Sequence, residues 1–168
     1  MKKVFALVLA LVLMMSAAAI AEDAIGSPVP AEITNCEPDV GAALKTAETD
    51  ETLKALVDAI ANNDAATVFA SAGVENIAKY ELVDLVGLEF ANYTEGEVKL
   101  TVKFAAAFEQ DADILVLLGL INGNEVAWQN LAAEIAEDGS LVLSFTAEQA
   151  KAVAEGQAVV AVLQAIAE

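Results

Sequence analysis

The chain has 168 residues, in which 26 acidic side chains outnumber eight basic ones and give a formal net charge of −18 at pH 7. A surface this acidic repels nucleic acid phosphates and anionic membranes, so neither is expected as a partner. Histidine and arginine are absent and one cysteine is present, which excludes Ser-His-Asp and Cys-His catalysis, arginine clamps for phosphate and tetrahedral zinc sites.

The first 21 residues show the three parts of a secretory signal peptide. Lys2 and Lys3 precede an apolar stretch from Val4 to Met15, and small residues then lead to Ala21. A membrane anchor is the alternative, but the apolar stretch is shorter than the ~20 residues that cross a bilayer. The sequence therefore predicts cleavage after Ala21, a secreted or extracytoplasmic protein, and no membrane insertion after the signal is removed.

Residues 22–40 are predicted to form an extended linker, because they contain all three prolines and show neither helical nor alternating periodicity. Cys36 lies in this segment and is the only cysteine, so no disulfide can form within the chain. In an exported protein such a cysteine either stays free or bridges two chains.

Residues 41–75 are predicted to form a helical preface to the main fold. In TDETLKALVDAIANND, apolar side chains recur at helical spacing, at Leu53, Leu56, Val57 and Ile60. The upstream VGAALKTAE is expected to add a turn or two of helix. A further short helix over residues 64–72 is expected to end at Gly73. An apolar face of this kind on a short helix is typical of a contact with the protein's own core.

From Tyr80 the apolar period changes to the alternation that is typical of strands. YELVDLVGLEF and EVKLTVKF are predicted strands, and ILVLLGLI is apolar on both faces, as expected of a strand covered on both sides. Thr146 and Gln149 form a capping box for a short helix that Gly156 closes before a last strand in AVVAVLQ. The dipeptides Asn-Gly at 122–123 and Asp-Gly at 138–139 each favour a two-residue hairpin turn.

Together these elements predict an α+β fold in which residues 41–168 form a single domain. The helical preface over residues 41–75 is followed by an antiparallel β-sandwich over residues 76–168. The sandwich is expected to have about six strands, with one short helix before the last strand.

The succession KYELVDLVGLEF, EVKLTVKF, ILVLLGLINGNEVAW, GSLVLSF and AVVAVL resembles small β-sandwich domains of exported proteins from Gram-positive bacteria. The resemblance covers roughly Asn76 to Leu163 and rests on the strand pattern. It implies the sandwich fold, and it implies no activity and no site residues.

Trp128, the only tryptophan, ends the predicted hairpin LLGLINGNEVAW. If Asn122 and Gly123 form the turn, Leu117 lies opposite Trp128 on an apolar face, and the indole is predicted to fill the core. The alternative is a one-residue slip that turns the indole outward as a stacking platform. That alternative makes Trp128 and Tyr93 the candidate ligand-binding residues.

Carboxylates are the reactive groups that remain. Two of them can hydrolyse a glycosidic bond when they lie roughly 5–10 Å apart across a cleft, but a sugar cleft also needs aromatic platforms, and most of the few aromatics lie in strand patterns. The loop EQDADI places Glu109, Asp111 and Asp113 at alternate positions, which makes them a calcium candidate. It lacks the glycine and the distal glutamate of the helix-loop-helix calcium site, and such a loop is usually a solvated turn.

The sequence therefore predicts an exported, non-catalytic protein that acts as a surface or protein-interaction domain. The alternatives are a carbohydrate-binding module centred on Trp128 and Tyr93, and a small carboxylate-based hydrolase. The expected partner is a protein or a glycan. No catalytic residue, cofactor or resident metal is predicted.

Overall fold

The computed structural model describes residues 31–46, 50–63, 65–105, 107–123 and 125–166. The predicted signal peptide, residues 1–21, and the first part of the predicted linker lie outside these ranges. Within them the chain forms nine strands in two antiparallel sheets and a few helices. The α+β fold with a β-sandwich is confirmed, although there are more strands than the predicted number.

The strands are β1 (Glu32–Glu37), β2 (Ala42–Lys45), β3 (Tyr80–Phe90), β4 (Val98–Lys103), β5 (Ile114–Asn122), β6 (Glu125–Asn130), β7 (Ala132–Ile135), β8 (Leu141–Phe145) and β9 (Gln157–Ala165). The helices are α1 (Glu51–Ala61), α2 (Ala65–Val68) and α3 (Ala147–Glu155), with 3-10 turns at Ala70–Ala72 and Ile77–Lys79. Sheet A has the strand order β1-β4-β8-β7, and sheet B has the order β2-β3-β9-β5-β6.

Two predictions for the N-terminal part are wrong. Glu32–Glu37, in the predicted linker, pairs with β4, and Ala42–Lys45, in the predicted helical preface, pairs with β3. In β1 the alternation of side chains between the two faces is interrupted, because its pairing with β4 shifts in register after Ile33. Cys36 is half-buried against the core, where its Sγ donates to the Pro38 carbonyl oxygen at 3.2 Å. Short edge strands with such irregular patterns lack the periodic signal of longer strands.

The main core lies between the two sheets. The predicted alternation in β4 is confirmed, since Val98, Leu100 and Val102 are all 0% exposed. They pack with inward residues of β3, β5, β8 and β9 in one continuous cluster. α3 closes this core with the buried side chains of Ala150 and Val153.

A second core covers the other face of sheet B. Leu53, Leu56 and Ile60 of α1 contribute to it, so the predicted helical stripe is confirmed. On β5, Leu117 belongs to the second core and Leu118 to the main core. This confirms the prediction that ILVLLGLI is covered on both sides, and it gives the domain three layers: helices, sheet B and sheet A.

The local signals around α3 are also confirmed. Thr146 accepts a hydrogen bond from the Gln149 backbone N–H, and the Gln149 side chain accepts one from the Thr146 backbone N–H. Gly156 lies at the C-cap of the helix, immediately before β9. The 3-10 turn at Ala70–Ala72 ends at Gly73 in the left-handed conformation, as expected from the glycine.

The turn between β7 and β8 is longer than the predicted two-residue turn. The Ala136 N–H donates to the Ser140 carbonyl at 2.8 Å, which leaves residues 137–139 as the loop. Gly139 has a φ of +79° and completes the turn. The hydroxyl and backbone N–H of Ser140 both donate to Asp138 Oδ1, which lowers the pKa of the Asp138 carboxyl.

The chain passes from one sheet to the other at both lateral edges of the sandwich. β1 of sheet A continues through residues 38–41 into β2 of sheet B, and β6 of sheet B continues through Leu131 into β7 of sheet A. The Leu131 N–H donates to the Val116 carbonyl at 2.9 Å and fixes the second crossing. β2 and β7 are each only four residues long. Edge strands this short offer little backbone for pairing with another chain.

Candidate functional site

The β5–β6 hairpin places Trp128 in the second core. Asn122 pairs with Glu125, and Gly119 pairs with Trp128, so the predicted pairing of Leu117 with Trp128 is wrong by two residues. The difference arises because Asn122 is the last strand residue rather than the first turn residue. A shift of two residues keeps each side chain on its predicted face. Trp128 is 3% exposed, which confirms the core-filling interpretation.

The contacts of Trp128 leave no open ring face for a sugar. Its ring lies edge-on to Phe69, with 4.7 Å between the centroids and an interplanar angle of 72°. A Cβ added at Gly119 would lie 2.7 Å from Trp128 Cζ3, so the indole packs directly over that glycine. The Trp128 backbone N–H donates to Ser71 Oγ at 2.8 Å, which covers part of the β6 edge. The sequence carries no motif that identifies Ser71.

Tyr93, the other candidate, lines a groove between the β3–β4 loop and α3. We name this groove, with its volume of about 510 Å³, the Tyr93 groove; it is lined by Phe90, Ala91, Tyr93–Gly96, Ala147, Glu148, Lys151, Ala154 and Glu155. Phe90, Tyr93 and Ala154 also pack against the main core and form the apolar base. The Tyr93 hydroxyl lies 3.0 Å from the Gly96 carbonyl oxygen and 3.1 Å from that of Ala147. Tyr93 thus connects the loop to the first turn of α3.

The rim of the Tyr93 groove is acidic. Glu95 lies on the loop, and Glu148 and Glu155 lie on α3, with Lys151 between them. Lys151 Nζ is 3.8 Å from Glu155 Oε1, and both side chains are about two-thirds exposed, at 65% and 68%. An ion pair this exposed is weak, so both groups stay available to a ligand. The groove therefore combines an apolar base with three carboxylates and one ammonium.

The sequence named Tyr93 as a candidate binding residue and predicted the helix α3, but it did not predict that the two line one groove. The groove residues of α3, Ala147, Glu148, Lys151, Ala154 and Glu155, form a second stripe beside the buried Ala150 and Val153. The signal that could have shown it is the row of charged residues Glu148, Lys151 and Glu155 at helical spacing within that stripe. By itself a polar stripe also fits a plain solvated face.

Two other concave regions offer less to a ligand. The first, beside the N-terminus of α1, has a volume of only about 40 Å³. Its ionic groups already have partners, since Lys45 Nζ lies 2.8 Å from Glu89 Oε2 and Asp50 caps the helix. The second, of about 340 Å³, lies where β6 crosses to β7, and its lining is mostly aliphatic, with Glu134 as the one charged side chain.

The structure does not gather the calcium candidates into a metal site. Tyr80 donates its hydroxyl to Asp113 Oδ1 at 3.0 Å, and this hydrogen bond raises the pKa of Tyr80. Glu109 and Asp111 are exposed in the same loop. In the part of the chain that the structure describes, no group of three or more His, Cys, Asp or Glu side chains could hold an ion.

Burial raises the pKa of Asp84, while a hydrogen bond from the Leu85 N–H at 2.8 Å opposes that rise. Asp84 lies at a bulge of β3, opposite Val162 of the main core. It does not line the Tyr93 groove. A carboxyl with a raised pKa is a candidate general acid only where it faces a cleft. The carboxylate-based hydrolase hypothesis gains no support from this placement.

The raised pKa makes a prediction about stability. The pKa of Asp84 is higher in the folded state than in the unfolded state, so the protonated carboxyl contributes to the stability of the fold. This contribution is fully present below the ordinary pKa of aspartate and is lost as the pH rises through the folded-state pKa. Asp84→Asn keeps the acceptor for the Leu85 N–H, so we expect it to raise the free energy of unfolding at pH 7 by about 1 kcal/mol. Urea unfolding should show this gain shrinking to zero near pH 3.

The control for this prediction is Asp111→Asn, which removes the same charge from an exposed loop. A gain at pH 7 as large as that of Asp84→Asn would show that the effect comes from lowering the net charge. That result would contradict the local explanation.

Comparison with known proteins gives no match to this chain among protein-family models, curated proteins or solved structures. Among the helices in the described residues, none is long and apolar enough to span a bilayer. The geometry and charge of the Tyr93 groove are therefore the basis of the functional proposal.

Proposed function

We propose that the protein is an exported, non-catalytic domain that binds a partner protein in the Tyr93 groove. The observation that carries the proposal is the groove itself: a concave surface of about 510 Å³ with an apolar base and a charged rim. Binding sites of this size combine apolar lining with a few polar groups that fix orientation.

The rest of the described surface favours the groove over a flat apolar interface. Among the described residues, one large hydrophobic side chain is exposed, that of Ile166 at 52%. A flat apolar interface needs a contiguous patch of such residues. Apolar contact with a partner is instead offered at the base of the groove.

The groove is also held in shape before any partner arrives. Its base rests on the main core, and the Tyr93 hydroxyl connects its two walls. The capping box fixes the start of α3, the helix that forms one wall. A preformed groove lowers the entropy cost of binding.

A non-catalytic role is supported by the side chains available. The sequence contains no histidine, and Asp84, with its raised pKa, lies away from the groove. The groove thus offers carboxylates, one ammonium and an aromatic ring, which suit recognition better than proton transfer at neutral pH.

Glycan binding is less favoured than protein binding. A sugar site needs exposed aromatic platforms. Of the two candidate aromatic residues, Trp128 is buried and Tyr93 lines a groove. Specific binding to a glycan array that is lost when the groove is filled would replace the proposed partner class.

Export is tested by recovering the protein from outside the cells that make it. N-terminal sequencing should begin at Glu22, the residue after the predicted cleavage point. Retention of the full-length chain inside the cell would contradict export.

Partner binding is tested with a groove-filling variant and a matched control. Thr94→Gln with Ala154→Gln places larger side chains in the groove, while Thr101→Gln with Ala132→Gln makes the same changes on the outer face of sheet A. Cross-linking to envelope and secreted proteins, followed by calorimetry with each purified candidate, should identify a partner. We expect the groove variant to weaken its binding at least about tenfold and the control to preserve it. Equal binding by both variants would overturn the proposal.

A further inference from the structure

Resting on the proposed function, we infer that the Tyr93 groove takes a basic segment of its partner, with lysine or arginine side chains whose charged groups lie about 10 Å apart. Glycans, neutral peptides and acidic peptides are then poor occupants of the same groove.

The Tyr93 groove matches the shape and polarity of a long basic side chain. Lysine and arginine have apolar stems that end in a cation. The groove has the complementary order, since Phe90, Tyr93 and Ala154 form its base and carboxylates lie at its rim. A neutral apolar side chain would leave the carboxylates without partners, and an acidic one would be repelled.

The spacing of the carboxylates on α3 matches that of basic residues in an extended segment. Glu148 and Glu155 lie seven positions apart on α3, on the face that lines the groove. Seven helical residues span roughly 10 Å along the axis. In a polyproline II segment, residues three apart lie on one side and are separated by roughly 9 Å. Basic residues at every third position of such a segment can therefore reach both carboxylates.

Lys151 already occupies the middle of the rim. Its ammonium lies 3.8 Å from Glu155 Oε1 and competes with any incoming cation. Removing this charge should strengthen binding of a basic ligand by about threefold. A groove that recognised a neutral or an acidic ligand would not gain affinity from this change.

The whole molecule reinforces this preference. With a net charge of −18, the chain attracts basic segments over long distances and speeds their encounter in a salt-dependent way. Long-range attraction alone does not choose a place on the surface. The test therefore has to distinguish the Tyr93 groove from the general acidic surface.

The probe is the acetylated, amidated peptide Lys-Pro-Pro-Lys-Pro-Pro-Lys, titrated into the exported protein and followed by amide chemical shifts and calorimetry. We expect shifts concentrated at residues 91–97 and 147–155. Glu148→Gln should weaken binding about fivefold, and Lys151→Gln should strengthen it about threefold. The matched controls on sheet A, Glu134→Gln and Lys103→Gln, should leave the affinity within about a factor of 1.5.

Three results would overturn the inference: shifts spread over the acidic surface, control variants that change affinity as much as groove variants, or equal binding of Lys-Lys-Lys-Pro-Pro-Pro-Pro. Failure here can be distinguished from failure of the proposed function. If a cross-linked partner depends on the groove but the peptide does not bind there, the basic segment is wrong and the groove remains the binding site. If both experiments fail, the proposed function falls as well.

Discussion

Replacing Trp128 with alanine is expected to lower the free energy of unfolding by about 3–5 kcal/mol, the range for large aromatic side chains removed from a core. The indole is 3% exposed and fills the second core beside Phe69. Its removal leaves a cavity between sheet B and the helical cover, where the rigid sheet cannot collapse. Urea unfolding followed by far-ultraviolet circular dichroism measures the loss without relying on the deleted fluorophore.

The same residue provides an independent check in the wild-type protein. Because Trp128 is the only tryptophan, its fluorescence reports this one site. We expect emission at shorter wavelength than that of free indole and little quenching by acrylamide. Strong quenching, or a loss below about 1 kcal/mol on replacement by alanine, would contradict the buried position.

Adding a single methyl group at Gly119 is expected to cost about 1–3 kcal/mol, although alanine is otherwise tolerated in strands. A Cβ at this position would lie 2.7 Å from Trp128 Cζ3, 2.7 Å from Val159 Cγ2 and 2.8 Å from Val126 Cγ1. These atoms belong to packed side chains of the second core, so none can move aside without opening a gap elsewhere. The measurement is again urea unfolding of Gly119→Ala.

Gly87→Ala is the matched control, since Gly87 is also a buried strand glycine with an ordinary φ. There the added Cβ would meet Lys45 Cβ at 3.0 Å on a short edge strand, and nothing else within 3.5 Å. We expect a change below about 1 kcal/mol. The decisive comparison is Gly119→Ala in a Trp128→Ala background, where the cost should fall because the indole no longer opposes the methyl group, although the contacts with Val159 and Val126 remain. An unchanged cost there would show that the indole is not what requires the glycine, and would leave Val159 and Val126 as the side chains that oppose the methyl group.

The hairpin shows what strand periodicity can and cannot predict. Alternation assigned Trp128 to the apolar face correctly, because side chains on a strand repeat every two residues. It could not fix the register, since pairings that differ by two residues place every side chain on the same face. The choice depends on whether Asn122 ends the strand or begins the turn, and both are compatible with an Asn-Gly pair.

The short strands β1 and β2 show a different limit. Each is stabilised by a longer neighbour, β4 or β3, rather than by its own pattern. Prolines at 28, 30 and 38 surround β1 and suggest a linker, although they lie outside the strand itself. β1 and β2 form because they pair with segments that are distant in the sequence, and a local sequence pattern cannot show that pairing.

The Tyr93 groove could not be predicted from the sequence for the same reason. Its two walls are joined by a hydrogen bond between Tyr93 and Ala147, which lie 54 positions apart in the chain. The sequence could nominate Tyr93 as an aromatic residue in a loop. Only the packing of α3 over the main core shows which carboxylates accompany it.

The position of β9 has a consequence for how the protein is made. β9 lies at the centre of sheet B, between β3 and β5, yet it follows all the other described strands of that sheet in the sequence. Until residues 157–165 have been synthesised, the two strands that should flank β9 have no common neighbour, so the sheet cannot close. Sheet B should therefore assemble only after all of its other strands have already been synthesised.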